Sequence, residues 1–99
     1  MNDGTDNRII RRAVCLTGWV QGVGLRWRAN SAANALGVTG WVRNDPDGSV
    51  SMELQGTEAQ IDGVILAIER GSYVRIENLR VKTLPVNEHE YGFHVREDE

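Results

Sequence analysis

The sequence predicts an α+β fold, a two-layer sandwich in which two helices cover one face of an antiparallel sheet. Several stretches alternate apolar and polar residues with the period of a strand, and two carry a one-sided apolar stripe with the period of a helix. Their order along the chain is β-α-β-β-α-β, followed by a short extra C-terminal strand. With 99 residues the chain has room for one domain with a modest core. That domain is expected over 8–99, after a flexible polar N-terminus at 1–7.

The first strand is expected over Ile9 to Thr17. Ile10, Val14 and Leu16 point to one face, and Ala13 and Cys15 to the other, which suits a central strand. A helix follows over Leu25 to Leu36, with Ala29, Ala32, Ala33 and Leu36 as a narrow stripe of small apolar residues, and Gly37 as its stop. Val38–Asn44 and Ser49–Gln55 form a hairpin. In the connecting Asp45-Pro46-Asp47-Gly48, Pro46 presets φ and Gly48 accepts a left-handed backbone. Thr57-Glu58-Ala59-Gln60 has the spacing of a capping box for a second helix, whose core stripe is Ile61, Val64, Ile65 and Ile68 and whose end is marked by Gly71. Tyr73 to Leu84 is extended, with a phase break near Glu77-Asn78 that predicts a bulge. Tyr91, Phe93 and Val95 alternate in the last short strand. This is the ferredoxin-like plan, which hosts many unrelated functions, so function has to be argued from a site.

Composition narrows the classes. Hydrophobic content is 40% and charged content 25%, ordinary values for a soluble domain. No apolar run is long enough for a membrane span, and residues Met1 to Asn7 lack the basic and apolar regions of a secretory signal, so no membrane association and a cytoplasmic location are expected. The net charge of −3, with scattered basic residues, argues against a nucleic-acid partner. The single cysteine, Cys15, excludes an internal disulfide and reads as a small buried hydrophobe. His89 and His94 have no cysteine or HExxH partner, so no metal site is expected. Both read as surface residues.

The stretch from Thr17 to Ser31, TGWVQGVGLRWRANS, places Gly18, Gly22 and Gly24 directly before a helix start. A glycine-rich turn from a strand into a helix presents backbone N–H groups that no side chain obstructs, and the helix N-terminus adds positive potential. The P-loop pattern fails because no lysine follows the glycines, and the dinucleotide fingerprint fails because Trp27 stands at its third glycine. What remains is Arg26 in the first helical turn, where a cation is disfavoured by roughly 0.3–1 kcal/mol against the helix dipole. Its guanidinium can hold two phosphate oxygens at once. From spacing alone, an anion site and a simple tight turn beside a solvated arginine stand about equal. Arg28 reads as a solvated residue and Trp27 as a packing residue.

Two longer patterns add to this. LTGWVQGVGLR (Leu16 to Arg26) closely resembles the first signature of the acylphosphatase family, L-x-G-x-V-Q-G-V-x-[F/M]-R. GWVRNDPDGSVSMELQG (Gly40 to Gly56) is similar to the second, including Asn44, Gly48, Val50 and Gly56. Both stand in the family's order and spacing, and with the element order the resemblance covers nearly the whole chain after Asn7. Leu25 departs from the pattern, standing where the family usually has Phe. Packed beneath the loop, this smaller side chain bears on efficiency rather than on reaction type.

The resemblance implies hydrolysis of acyl phosphates, which are carboxyl-phosphate mixed anhydrides, to a carboxylate and inorganic phosphate without metal or cofactor. Arg26 would bind the phosphoryl group, the backbone amides of Gln21, Gly22, Val23, Gly24 and Leu25 would complete the cradle, and Asn44 would position the attacking water. Without the resemblance, Asn44 reads as an amide that bonds locally to start the turn. The implied partners are a small-molecule acyl phosphate and inorganic phosphate, the latter as product and inhibitor, with the chain a monomer. The main competing reading is a non-catalytic regulatory domain that binds a small anion through the same loop. An RNA-binding module on this plan is opposed by the acidic balance and the missing aromatic-rich RNP1 stretch, and a specialised substrate such as carbamoyl phosphate by the isolated short chain.

Overall fold

A computed structural model describes residues 6–97. The expectation for the N-terminal tail at 1–7 falls mostly outside them; Asp6 and Asn7 are exposed coil. Strand β1 (Ile10–Trp19) leads into helix α1 (Leu25–Leu36). The hairpin of β2 (Thr39–Asn44) and β3 (Val50–Gly56) precedes helix α2 (Glu58–Glu69), and the chain closes with β4 (Arg75–Leu84) and β5 (Phe93–Arg96). The sheet order is β4-β1-β3-β2-β5, so the first strand is an interior strand.

Four strands pair antiparallel, but β5 joins β2 in parallel, with Gly40 opposite Phe93. The sheet is therefore mixed rather than antiparallel throughout. The reason is where the chain returns. Strand β4 finishes beside the start of β1, the end at which β2 begins, so a strand entering there after crossing the sheet must run with β2.

Both helices cover the face that carries Val14, Leu16, Val42, Val50, Met52 and Leu54, all at most 2% exposed. From α1 come Leu25, Ala29 and Ala33, and from α2 Ile61, Val64 and Ile68, also buried. The small alanines let α1 lie close. Leu36 leaves the predicted stripe: it is exposed, and its side chain rides over Gly63 of α2, where a Cβ would stand 2.8 Å from it. The capping box of α2 is formed, with the Gln60 amide donating to Thr57 Oγ1 at 3.2 Å and the Thr57 amide to Gln60 Oε1 at 2.8 Å. Helix α2 ends two residues before Gly71. That glycine serves close approach, because a Cβ there would meet Val74 at 2.9 Å and Arg28 at 3.1 Å. The bulge lies where the phase break predicts it: Thr17 pairs with Asn78 and Gly18 with Ile76, leaving Glu77 as the extra residue.

Among the described residues, the other sheet face carries no helix. Cys15 lies there half-buried rather than in the core, since its register opposite Ser51 and Arg80 puts it on the polar side. Trp41 lies on the same face beneath two guanidinium groups, those of Arg43 at 5.1 Å and Arg96 at 4.8 Å from its ring centre. At one end of this face Arg11, 5% exposed, donates to Glu53, Gln55 and Glu90 at 2.7–3.1 Å. Gln55 and Asn87 exchange bonds of 2.8 and 2.9 Å. Together they fasten the segment between β4 and β5 across the sheet. At the opposite end, the β1–α1 loop, the β2–β3 turn and the α2–β4 connection come together, because β1 lies between β4 and β3.

Candidate active site

The β1–α1 loop turns on two glycines and leaves a run of backbone donors open. Gly22 (φ 74) and Gly24 (φ 79) turn the backbone through left-handed conformations that other residues rarely adopt. Gly24 precedes α1 without a side-chain cap, and no acidic residue occupies the first helical turn. Among the described residues, the backbone N–H groups of 21–25 have no acceptor; the first bond into the helix is Arg28 N–H to the Gly24 carbonyl at 3.0 Å. Free donors at a helix N-terminus attract an anion. Leu25, 2% exposed, is buried as expected for a side chain packed beneath the loop.

Gly22, Gly24, Leu25 and Arg26 line one cleft of about 190 Å³ with Val20, Trp27 and Asn44. Arg26 is half-exposed and makes no ion pair or side-chain hydrogen bond to any described residue, whereas Arg11, Arg12 and Arg43 are all paired. Its fork is available to a ligand. Asn44 closes β2 opposite Val50 and is half-buried, with its side-chain amide unbonded among the described residues. The local turn bonds come from its neighbours instead: the Asp45 amide donates to the Ser49 carbonyl at 2.9 Å and Gly48 to Asp45 at 3.1 Å. Asn44 is thus spared the turn-starting role that its position alone suggests.

Gln21 and Val23 contribute differently. Neither lines the cleft; Val23 packs against the core cluster. The Gln21 side chain donates through Nε2 to the carbonyls of Asp45 and Ser49, both at 2.8 Å, bolting the loop to the turn that follows Asn44. The turn is itself stiff. Asp45 accepts from the Ser51 hydroxyl at 2.5 Å and from Arg43 at 3.1 Å. The Ser49 hydroxyl lies 2.6 Å from Asp47 Oδ1 and 2.9 Å from Asp45 Oδ2, and the Ser49 amide donates to Asp47 at 2.9 Å. These bonds from Ser49 hold the Asp47 carboxyl below its usual range. Sequence reasoning assigns only the backbone of Gln21; an amide side chain in an otherwise apolar and glycine loop was the available signal for more.

Two readings need correction. Trp27 does not pack: it is 70% exposed at the edge of the cleft, because the buried row Leu25-Ala29-Ala33 leaves residue 27 on the far side of α1. Arg28 is not simply solvated. It is half-buried, reaches the Ala67 carbonyl at 3.4 Å and lies over Gly71, which joins α1 to the end of α2. His89 and His94 are exposed, with His94 Nε2 2.9 Å from the Tyr91 carbonyl.

Fold and site together define a small α+β sandwich with a glycine loop of open N–H donors at the start of its first helix. Comparison with known proteins agrees. The acylphosphatase family model matches residues 12–95. An acylphosphatase of Salinibacter ruber is 39% identical over 97 residues, covering 97% of this chain and 99% of its own. The solved acylphosphatase structure from Coxiella burnetii superimposes with a TM-score of 0.80 at 27% identity over 97% of this chain and all of its own. That from Bacillus subtilis gives 0.81 at 25% identity, over 88% and 98%. The chain belongs to the acylphosphatase family, a family of enzymes.

Proposed function

We propose that this protein hydrolyses acyl phosphates without a metal ion, using Arg26, the amides of Gln21 to Leu25, and Asn44. The observation that supports this is a guanidinium, an amide side chain and a loop of N–H donors, all without partners among the described residues and gathered around one cleft. The family match supplies the reaction class. Arg26 grips two phosphoryl oxygens, and the loop amides and helix N-terminus share the charge. Asn44, which both donates and accepts, orients a water without titrating. Water oxygen attacks phosphorus, the bond from phosphorus to the acyl oxygen breaks, and the carboxylate leaves with the electron pair. Of the water's two protons, one stays on the attacking oxygen and the other passes to a phosphoryl oxygen, so both leave with the phosphate. A carboxylate needs no strong general acid to leave, and the loose transition state spreads charge over the equatorial oxygens, so positioning and electrostatics suffice.

The test is phosphate release from acetyl phosphate in excess EDTA, with an ordinary phosphate monoester alongside. Release from the acyl phosphate alone, unchanged by chelator, is expected. Activity lost to EDTA and restored by a divalent ion would sink the metal-free reading, and binding of phosphate without any turnover would favour a regulatory anion-binding domain.

A further inference from the structure

Beside the phosphate cleft lies a second, larger groove that the chemistry above leaves unused. It encloses about 370 Å³ and is lined by Trp19, Gly22, Val23, Tyr73, Val74 and Arg75 among others. Gly22 lines both hollows. The loop is flanked by Asn44 and its turn on one side and by the α2–β4 connection on the other, a consequence of β1 lying between β3 and β4. Gly22 has no side chain, and the space where a Cβ would stand is open to 4 Å, so the rim between the two hollows is low there.

The sizes separate two tasks. At about 190 Å³ the cleft at Arg26 is smaller than the roughly 300–1,000 Å³ of small-molecule sites, whereas the groove, at about 370 Å³, falls inside that range. Trp19 is 70% and Tyr73 77% exposed, and neither ring has a hydrogen bond to a described residue. Two large uncovered rings at one groove form a contact surface for something flat and apolar. Arg75, exposed and without an ion-pair partner among the described residues, adds positive charge that suits an anionic substrate.

We infer that this groove is the acyl-group subsite: with the phosphoryl group held at Arg26, an aromatic acyl group crosses Gly22 and lies against Trp19 and Tyr73. The inference rests on the proposed acyl phosphate hydrolysis and adds to it the class of acyl group. The phosphate half is common to all such substrates, so discrimination among them falls to the groove.

The experiment compares kcat/KM for benzoyl phosphate and acetyl phosphate in the wild-type protein, the double variant Trp19→Ser/Tyr73→Ser, and Val86→Ser as a surface control at the opposite end of the sheet. The wild type prefers the aryl substrate, and the double variant lowers the aryl-over-acetyl ratio by about tenfold, through KM. Val86→Ser leaves the ratio alone. An unchanged ratio in the double variant, or an equal loss on both substrates, overturns the inference; so does loss of the preference in Trp27→Ser alone, which would place the acyl group at the helix edge. A binding arm keeps this separate from turnover. Benzylphosphonate should bind the wild type about tenfold more tightly than methylphosphonate and lose that advantage in the double variant. If the wild type hydrolyses neither substrate, the proposed reaction fails while the binding arm still decides the groove.

Discussion

Arg26 and Arg28 stand two positions apart in one helix turn, yet their surroundings assign them different work. Arg26 lines the cleft without an ion-pair partner among the described residues, whereas Arg28 reaches across to the Ala67 carbonyl. Arg26→Lys keeps the charge but removes the bidentate fork, so kcat on an acyl phosphate should fall roughly a hundredfold or more. Arg28→Lys should change turnover little; an essential Arg28 beside a dispensable Arg26 would reverse the assignment. Asn44 offers a sharper division. With its amide unbonded to any described residue, Asn44→Ala should leave the melting temperature nearly unchanged and lower kcat roughly a hundredfold, while phosphate affinity moves less because Arg26 and the loop remain. A destabilised Asn44→Ala protein with normal kcat would return this residue to a turn-forming role.

At the scale of elements, the site depends on how firmly the β1–α1 loop is joined to the β2–β3 turn. Gln21 makes that joint with two bonds to backbone carbonyls, and Asp45, Ser49, Ser51 and Asp47 stiffen the turn that receives them. Each such bond contributes about 1 kcal/mol net, so Gln21→Ala should destabilise by about 1–2 kcal/mol in a urea titration. It should also raise KM for acyl phosphates, since the loop carrying the donors is no longer held against Asn44. Gln21→Glu should be no better, because a carboxylate cannot donate to carbonyl oxygens. Unchanged stability and KM in both variants would show that the glycine backbone and buried Leu25 alone hold the loop.

For the whole molecule, the segment between β4 and β5 is a strap across the sheet, held by Arg11, Gln55 and Glu90. Burial by itself would raise the Glu90 carboxyl, but hydrogen bonds from Arg11 and Thr39 and the Arg11 charge outweigh it and leave the group below its usual value of 4.5. A carboxyl lowered in the folded state stabilises above its unfolded pKa, and this contribution is lost as pH falls through the folded value. Stability should therefore decline from about pH 5 downward. Glu90→Gln should be less stable at neutral pH and should lose less on acidification. Parallel acid-unfolding curves for the two proteins would remove Glu90 from that account.

The local elements were legible in the sequence because each is set by neighbours a few residues away. The bounds of α1, the Thr57 capping box, the turn after Asn44 and the bulge at Glu77 all follow from short-range periodicity and turn chemistry. The residues of the proposed cradle could be picked out for a related reason: Gly22, Gly24 and Arg26 sit within one loop, and the two signatures carry Asn44 with them. What only the tertiary structure decided involves partners far apart in the chain. The parallel pairing of β5 follows from where the strap re-enters the sheet, and the burial of Arg11 requires Glu53 and Glu90, 42 and 79 residues away. Gln21 finds its acceptors 24 and 28 residues on. Trp27 was misread because hydrophobicity suggests burial, while the phase of the Leu25-Ala29-Ala33 row puts that ring outside. Periodicity shows which face of an element is apolar; which other element comes to meet it, and which polar groups are caught between them, is settled only when the sheet order closes.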